Sequence, residues 1–244
     1  MPPPSSTGPT GSCSPSGNRR HRPPERDRHL PRKGSHVTEP QLDHIVYTVP
    51  DLAAAVADFT VRTGVSPVPG GRHPSGTANY LVGFGPTSYL EILGPDPEAD
   101  ATDRPATFGL DTLTEPRLAT WAVHTDDIEN AVSLAREHGY DPGEIQPLSR
   151  RRPDGVLLSW RLTRRTERGA DGLVPFLIDW TGAEHPASSR LPQLGLTSLT
   201  ATHPDPTAVR RYLAAVGVEL EVTAGPRAAL EALLDTPRGP VTLR

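Results

Sequence analysis

Along residues 41–49 apolar side chains run almost unbroken through Leu42-Asp43-His44-Ile45-Val46-Tyr47-Thr48-Val49, the composition of a strand. The period then changes. Pro50-Asp51-Leu52 opens a stretch in which Leu52, Val56 and Phe59 fall on one helical face, and Gly64 closes it. Asp51 is placed to cap the helix and Gly64 to end it in the left-handed conformation. The same pattern returns twice. Thr120–Thr125 reads as a strand, Asp127 as a cap, Ile128, Ala131, Val132 and Ala135 as a helix face, and Gly139 as the stop. Leu196–Thr202, Asp205-Pro206, Val209, Leu213 and Val216, and Gly217 repeat the series. The Asp-to-Gly spacings are 13, 12 and 12 residues, which marks an internal repeat.

Shorter strand-like runs follow each helix. After the first come Val65–Val68, Thr77–Phe84 and Ser88–Leu93, the last two joined across Gly85-Pro86-Thr87 as a hairpin. After the second, a Pro-rich connection leads to Val156–Thr163 and Leu173–Trp180. After the third come Val218–Val222, Ala229–Asp235 and Pro240–Leu243. Residues 229–235 also suit a helix, being rich in Ala, Leu and Glu. The unit is β-α-β-β-β. A long Pro/Asp-rich connection, residues 95–118, separates the first two units.

Composition changes the picture at the N-terminus. Residues 1–37 hold seven Arg/Lys against Glu25 and Asp27, and no Phe, Trp, Tyr or Ile. Such a segment cannot bury enough apolar surface to offset its ordering entropy, so a disordered tail is expected. A transit peptide and a basic nucleic-acid arm are the weaker alternatives. Translation starting at Val37 would give the domain an ordinary beginning, so residues 1–36 are expected to be a mis-called extension or dispensable. The whole chain carries −4 and the tail +5, leaving −9 on the remainder. An acidic body argues against nucleic acid as the main partner. No run is long and apolar enough for a membrane helix. Cys13, the lone cysteine, excludes an internal disulfide and a cysteine metal cluster. A cytoplasmic location is the expectation.

Several of these segments resemble one family. Leu42-Asp43-His44-Ile45-Val46 with Val49-Pro50-Asp51-Leu52 is similar to the first strand and helix of the vicinal oxygen chelate superfamily. Gly70-Gly71-Arg72-His73-Pro74, Gly76-Thr77-Ala78-Asn79 and Tyr89-Leu90-Glu91-Ile92 resemble its glyoxalase-like branch. So do Arg152-Pro153-Asp154-Gly155, Trp160-Arg161-Leu162, Pro175-Phe176-Leu177-Ile178-Asp179-Trp180 and His185-Pro186. The resemblance covers roughly 41–187. It implies an α+β fold in which tandem βαβββ modules form a curved, partly closed mixed sheet with helices outside. Residues 38–187 would be that domain, and 188–244 a partial third module packed on it.

It also implies a site. Metal-dependent relatives draw ligands from the first and fourth strands of each module to hold a divalent ion that chelates two neighbouring substrate oxygens. His44 and Glu91 match two of these positions, so both are expected as ligands or as catalytic acid–base groups. In the second module Thr120 stands where His44 stands in the first, and the partner of Glu91 is Asp179 or Ile178, depending on register. Asp179 would give three ligands, Ile178 two. The plainer readings are a hydrogen-bonded pocket histidine for His44, pairing of Glu91 with Arg72 or Arg161, a hairpin-ordering role for Asn79, and a turn at His185-Pro186. For Arg150-Arg151-Arg152 a solvated loop is preferred over an anion clamp. The function these residues suggest is an enzyme acting on a small molecule with adjacent oxygens, of lyase, isomerase or dioxygenase type. The rival is a non-catalytic binding or resistance protein with the same cupped pocket, and the third is a pseudo-enzyme or interaction domain.

Overall fold

The computed structural model describes residues 40–99, 106–165, 169–180 and 182–244. The expectations for the tail lie outside these residues.

The first module comprises β1 (Gln41–Thr48), α1 (Leu52–Thr63), β2 (Val68–His73), β3 (Thr77–Gly83) and β4 (Tyr89–Pro95). The second comprises β5 (Arg117–His124), α2 (Ile128–Glu137), β6 (Glu144–Arg151), β7 (Leu157–Arg164) and β8 (Phe176–Asp179). The helices start where their caps dictate. Asp51 accepts from the Ala54 N–H and Asp127 from the Asn130 N–H, each satisfying a donor that the first turn leaves open. Gly64 ends α1 at φ 77°, in the left-handed region.

The eight strands close into a barrel in the order β1-β4-β3-β2-β6-β7-β8-β5. Within the first module β1 lies parallel to β4, and the modules join where β1 runs antiparallel to β5. On the opposite side β2 and β6 pair at Arg72 and Arg151. The fold is therefore the α+β class the sequence predicts, with α1 and α2 outside the barrel. Ile45, Tyr47, Val49, Leu90 and Ile92 of the first module, Trp121, Val123 and Leu177 of the second, and Phe59, Ile128 and Val132 of the helices form one core on the outer face. The alternate residues point inward.

Two strands differ from expectation. Val65–Val68 is not a strand; β2 begins at Val68 and continues through the Gly70-Gly71 loop. Glycine is needed there because a Cβ on Gly70 would lie 2.4 Å from Asn79 Oδ1 and 2.9 Å from Arg150 Nη1. The Pro-rich connection of the second module contains β6. Its Pro147 pairs on the β7 side, away from the Arg72–Arg151 pair, so the missing N–H leaves no gap in the β2 ladder. Residues 229–235 are a strand, not a helix.

The third unit comprises β9 (Gly195–His203), α3 (Pro206–Ala215), β10 (Glu221–Ala224), β11 (Ala229–Asp235) and β12 (Val241–Leu243). Its elements follow the order β-α-β-β-β, but its strands pair as β10-β9-β11-β12. The parallel neighbour of β9 is the strand directly after its helix, whereas that of β1 is the last strand of its module. This sheet does not extend the barrel. Ala201, Val209, Leu213, Leu230, Ala232 and Leu234 complete the same outer core. The Leu118 N–H donates to the Arg244 carbonyl and Arg62 to that of Thr242, tying the C-terminus to β5 and α1.

Candidate functional site

The barrel encloses a cavity of about 1010 Å³. The connection between modules packs Leu110 and Leu113 against Val46 and Leu93, and places Phe108 on the cavity wall. His44, Glu91, Thr120, Phe176 and Ile178 all line the cavity.

A β-bulge fixes the geometry at β1. The β1–β5 register shifts between Leu42 and His44, so Asp43 falls out of strict alternation. Asp43 is fully buried, and its carboxylate accepts from Trp180 Nε1 at 2.8 Å and His185 Nε2 at 3.0 Å. His185 Nδ1 accepts from the Ala187 N–H, which assigns the proton to Nε2. The third contact is His44 Nδ1, 2.6 Å from Asp43 Oδ1. Burial opposes the charge on Asp43, but His124, His185 and His44 outweigh it and hold the carboxyl well below its ordinary range. An ionised carboxylate only accepts, so His44 Nδ1 donates and Nε2 is the ring nitrogen left facing the cavity. Tyr89 stacks on the imidazole at 4.8 Å and Phe176 meets it edge-on at 5.5 Å, fixing the ring plane.

Glu91 Oε2 stands 3.7 Å from His44 Nε2. Its Oε1 accepts from Asn79 Nδ2, so Asn79 orients the carboxylate rather than the hairpin backbone. The plainer partners of Glu91 are engaged elsewhere: Arg72 with Asp96 and Glu98, Arg161 with Glu129 and Asp179. His73, on the same wall, is pushed down by burial, the pull of Glu91 being insufficient to reverse this. Burial, with Asp43 and Glu91 nearby, raises the Tyr89 phenol well above its usual range, so it stays neutral.

Asp179 does not join this group. It lies on the outer side of β8, 2.5 Å from Arg161, which also pairs with Glu129 of α2. The ladder decides its counterpart. The caps Asp51 and Asp127, and the helix starts Leu52 and Ile128, match between the modules, which equates His44 with Thr120 and Val46 with Ala122. Glu91 pairs with Val46 and Phe176 with Ala122, so the counterpart of Glu91 is Phe176, neither Asp179 nor Ile178. Of the four symmetry-related positions, two carry metal-ligating side chains; the others are a threonine and a phenylalanine. Among the described residues no group of three or more His, Cys, Asp or Glu is disposed to hold a metal ion. This donor set does not fit a resident divalent ion of the kind the resemblance implies.

Arg150 is the other departure. It is not on a solvated loop but on β6, buried and on the cavity wall. The sequence does not mark Asp43 as a site residue, and it offers Arg150 only within the less favoured anion-clamp reading of Arg150-Arg151-Arg152. The signal for Asp43 was a carboxylate beside a pocket histidine; for Arg150 it was an arginine in an unrecognised strand.

Paired βαβββ modules closed about one cavity define a vicinal oxygen chelate fold. The chain belongs to the glyoxalase-like domain family, whose model matches residues 42–217. The match runs beyond the barrel through α3. Among solved structures, a hypothetical protein from Staphylococcus aureus is 15% identical, with a TM-score of 0.59 over 78% of this chain and 88% of that one. A methylmalonyl-CoA epimerase from Streptomyces coelicolor, in complex with 2-nitronate-propionyl-CoA, is 21% identical with a TM-score of 0.40, over 58% of this chain and 98% of that one. One from Mycobacterium tuberculosis is 20% identical at 0.39, over 62% and 93%. No curated protein sequence matches the chain.

Proposed function

We propose that the chain is an enzyme of lyase or isomerase type that moves a proton on a small substrate through His44 and Glu91. The observation that carries this reading is the His44 ring, anchored at Nδ1 by an ionised carboxylate and presenting Nε2 to the cavity beside Glu91. An imidazole held in one tautomer is a general base, and the carboxylate behind it stabilises the imidazolium formed when it takes a proton. Glu91, as a carboxylate 3.7 Å away, attracts that cation, and the imidazolium returns the proton elsewhere on the substrate. Asn79 holds the carboxylate in place, while Phe176, Phe108 and Trp160 give the walls an apolar character that strengthens the charge interactions. No step is assigned to a metal, because the donor set does not fit one.

The second reading, a non-catalytic binder, draws support from the same substitution of Thr120 and Phe176 at ligand positions. Proton exchange separates the two. Small oxo acids would be incubated with the protein in deuterated buffer, and loss of the C–H signal beside the carbonyl followed by NMR. An enzyme of the proposed kind accelerates exchange, and a chelator leaves the rate unchanged. No acceleration across the panel favours the binder, while a rate abolished by chelator and restored by a divalent ion overturns the metal-free reading.

A further inference from the structure

We propose that the cavity takes its substrate as a carboxylate and that Arg150 is the anion anchor. Arg150 is 3% exposed, yet no hydrogen bond or ion pair joins its guanidinium to a described residue, and its buried Nε has no partner. Its neighbours in sequence are satisfied. Arg151 donates to the Gly155 carbonyl, and Arg152 pairs with Asp154 and Glu184. A desolvated cation without a counter-ion is among the most costly arrangements a protein interior can hold, and it persists where something else supplies the negative charge.

The surroundings are shaped for it. Gly70 lets β2 pass close against Arg150 Nη1 and Asn79 Oδ1, which a Cβ there would strike at 2.9 and 2.4 Å. The wider field agrees. Among the described lining residues Glu91 is the one acid, against Arg150, Arg164 and Arg165, with Arg161 already paired to Glu129 and Asp179, in a chain of net charge −4. A single free guanidinium matches a planar monoanion, which its fork can bind through two hydrogen bonds. A phosphate dianion would bring excess charge toward Glu91.

The anchor stands on its own geometry; which end of the molecule reacts rests on the proton-transfer reading above. The test is a set of matched probes: acetate, glycolate, benzoate and mandelate against their primary amides, titrated at constant ionic strength with tryptophan fluorescence as the signal, since Trp160 lines the cavity. In the wild-type chain at least one acid should bind about tenfold or more tightly than its amide, as expected for a charge-assisted hydrogen bond to a buried partner. Arg150→Met should lose that preference and, without added probe, melt no lower than wild type, because it removes a buried unpaired charge. Glu91→Gln should keep the preference. Acids no tighter than amides in wild type, a preference retained by Arg150→Met, or a markedly lower melting temperature for that variant would each overturn the anchor. If Glu91→Gln leaves proton exchange intact while Arg150→Met abolishes the acid preference, the catalytic reading fails and the anchor stands.

Discussion

Asp43 shows how much rests on one side chain. Its carboxylate is buried among the donors of His44, His185 and Trp180; an amide there keeps one acceptor oxygen and turns an NH2 toward the remaining donors. Asp43→Asn should therefore destabilise the fold by roughly 2–4 kcal/mol, measured by urea denaturation, because it breaks a buried charge network at one partner. It should also free the His44 tautomer, visible as a change in the imidazole nitrogen shifts. Glu91→Gln is nearly isosteric and keeps an acceptor for Asn79, so its effect should fall on turnover, lowering it on the order of a hundredfold or more while the melting temperature hardly moves. A stability loss as large as that of Asp43→Asn would mark Glu91 as structural. His124 gives this cluster a pH signature. Attraction to Asp43, against burial and with help from Asp126, raises it from its ordinary 6.5 to about 8. A raised histidine contributes stability that is complete below its unfolded value and is lost as pH climbs through the folded one. Wild-type stability should thus fall between pH 6.5 and about 8 by an increment that His124→Gln lacks. Asp43 acts at the other end: with its folded value depressed, its contribution is present above the unfolded value near 3.8 and is lost as pH falls well below it.

At the scale of single elements, the capped helices were the most legible part of the sequence. Each cap aspartate and terminal glycine is a local device, readable without knowing the rest of the chain. Asp127→Ala should cost about 1 kcal/mol by removing the bond to the Asn130 N–H, and thermal unfolding would show it as a small, cooperative shift. The strands were harder. β2 was hidden because Gly70 and Gly71 read as a loop, although the glycines answer to side chains arriving from β3 and β6. β6 was hidden by its proline, tolerable where the neighbouring ladder is sparse. Missing β6 meant missing that Arg150 faces inward. His44 and Glu91 were legible because they sit on strongly apolar strands at the ligand positions that the family resemblance supplies. Asp43 was not, because a bulge breaks alternation at that residue, and a bulge is set by the partner strand.

For the whole molecule, the third unit joins the barrel through a shared core rather than a shared sheet. Leu213 and Leu230 bury against the same cluster as Ile45 and Trp121. Removing residues 188–244 should uncover that face, and the shortened chain should lose cooperative unfolding and bind a hydrophobic dye; an intact, sharp transition would show that the barrel is self-sufficient. The central claim is that the two-fold symmetry of the barrel has been broken at its site. One half presents His44 and Glu91 and the other Thr120 and Phe176, and on the function proposed above the first pair works without a resident metal. Elemental analysis tests this most directly: the purified full chain is loaded in turn with manganese, iron, nickel and zinc, desalted and assayed for bound metal. No stoichiometric metal should be found, and Glu91→Gln should give the same result. One tightly held ion per chain that disappears on replacing His44 or Glu91 would contradict it.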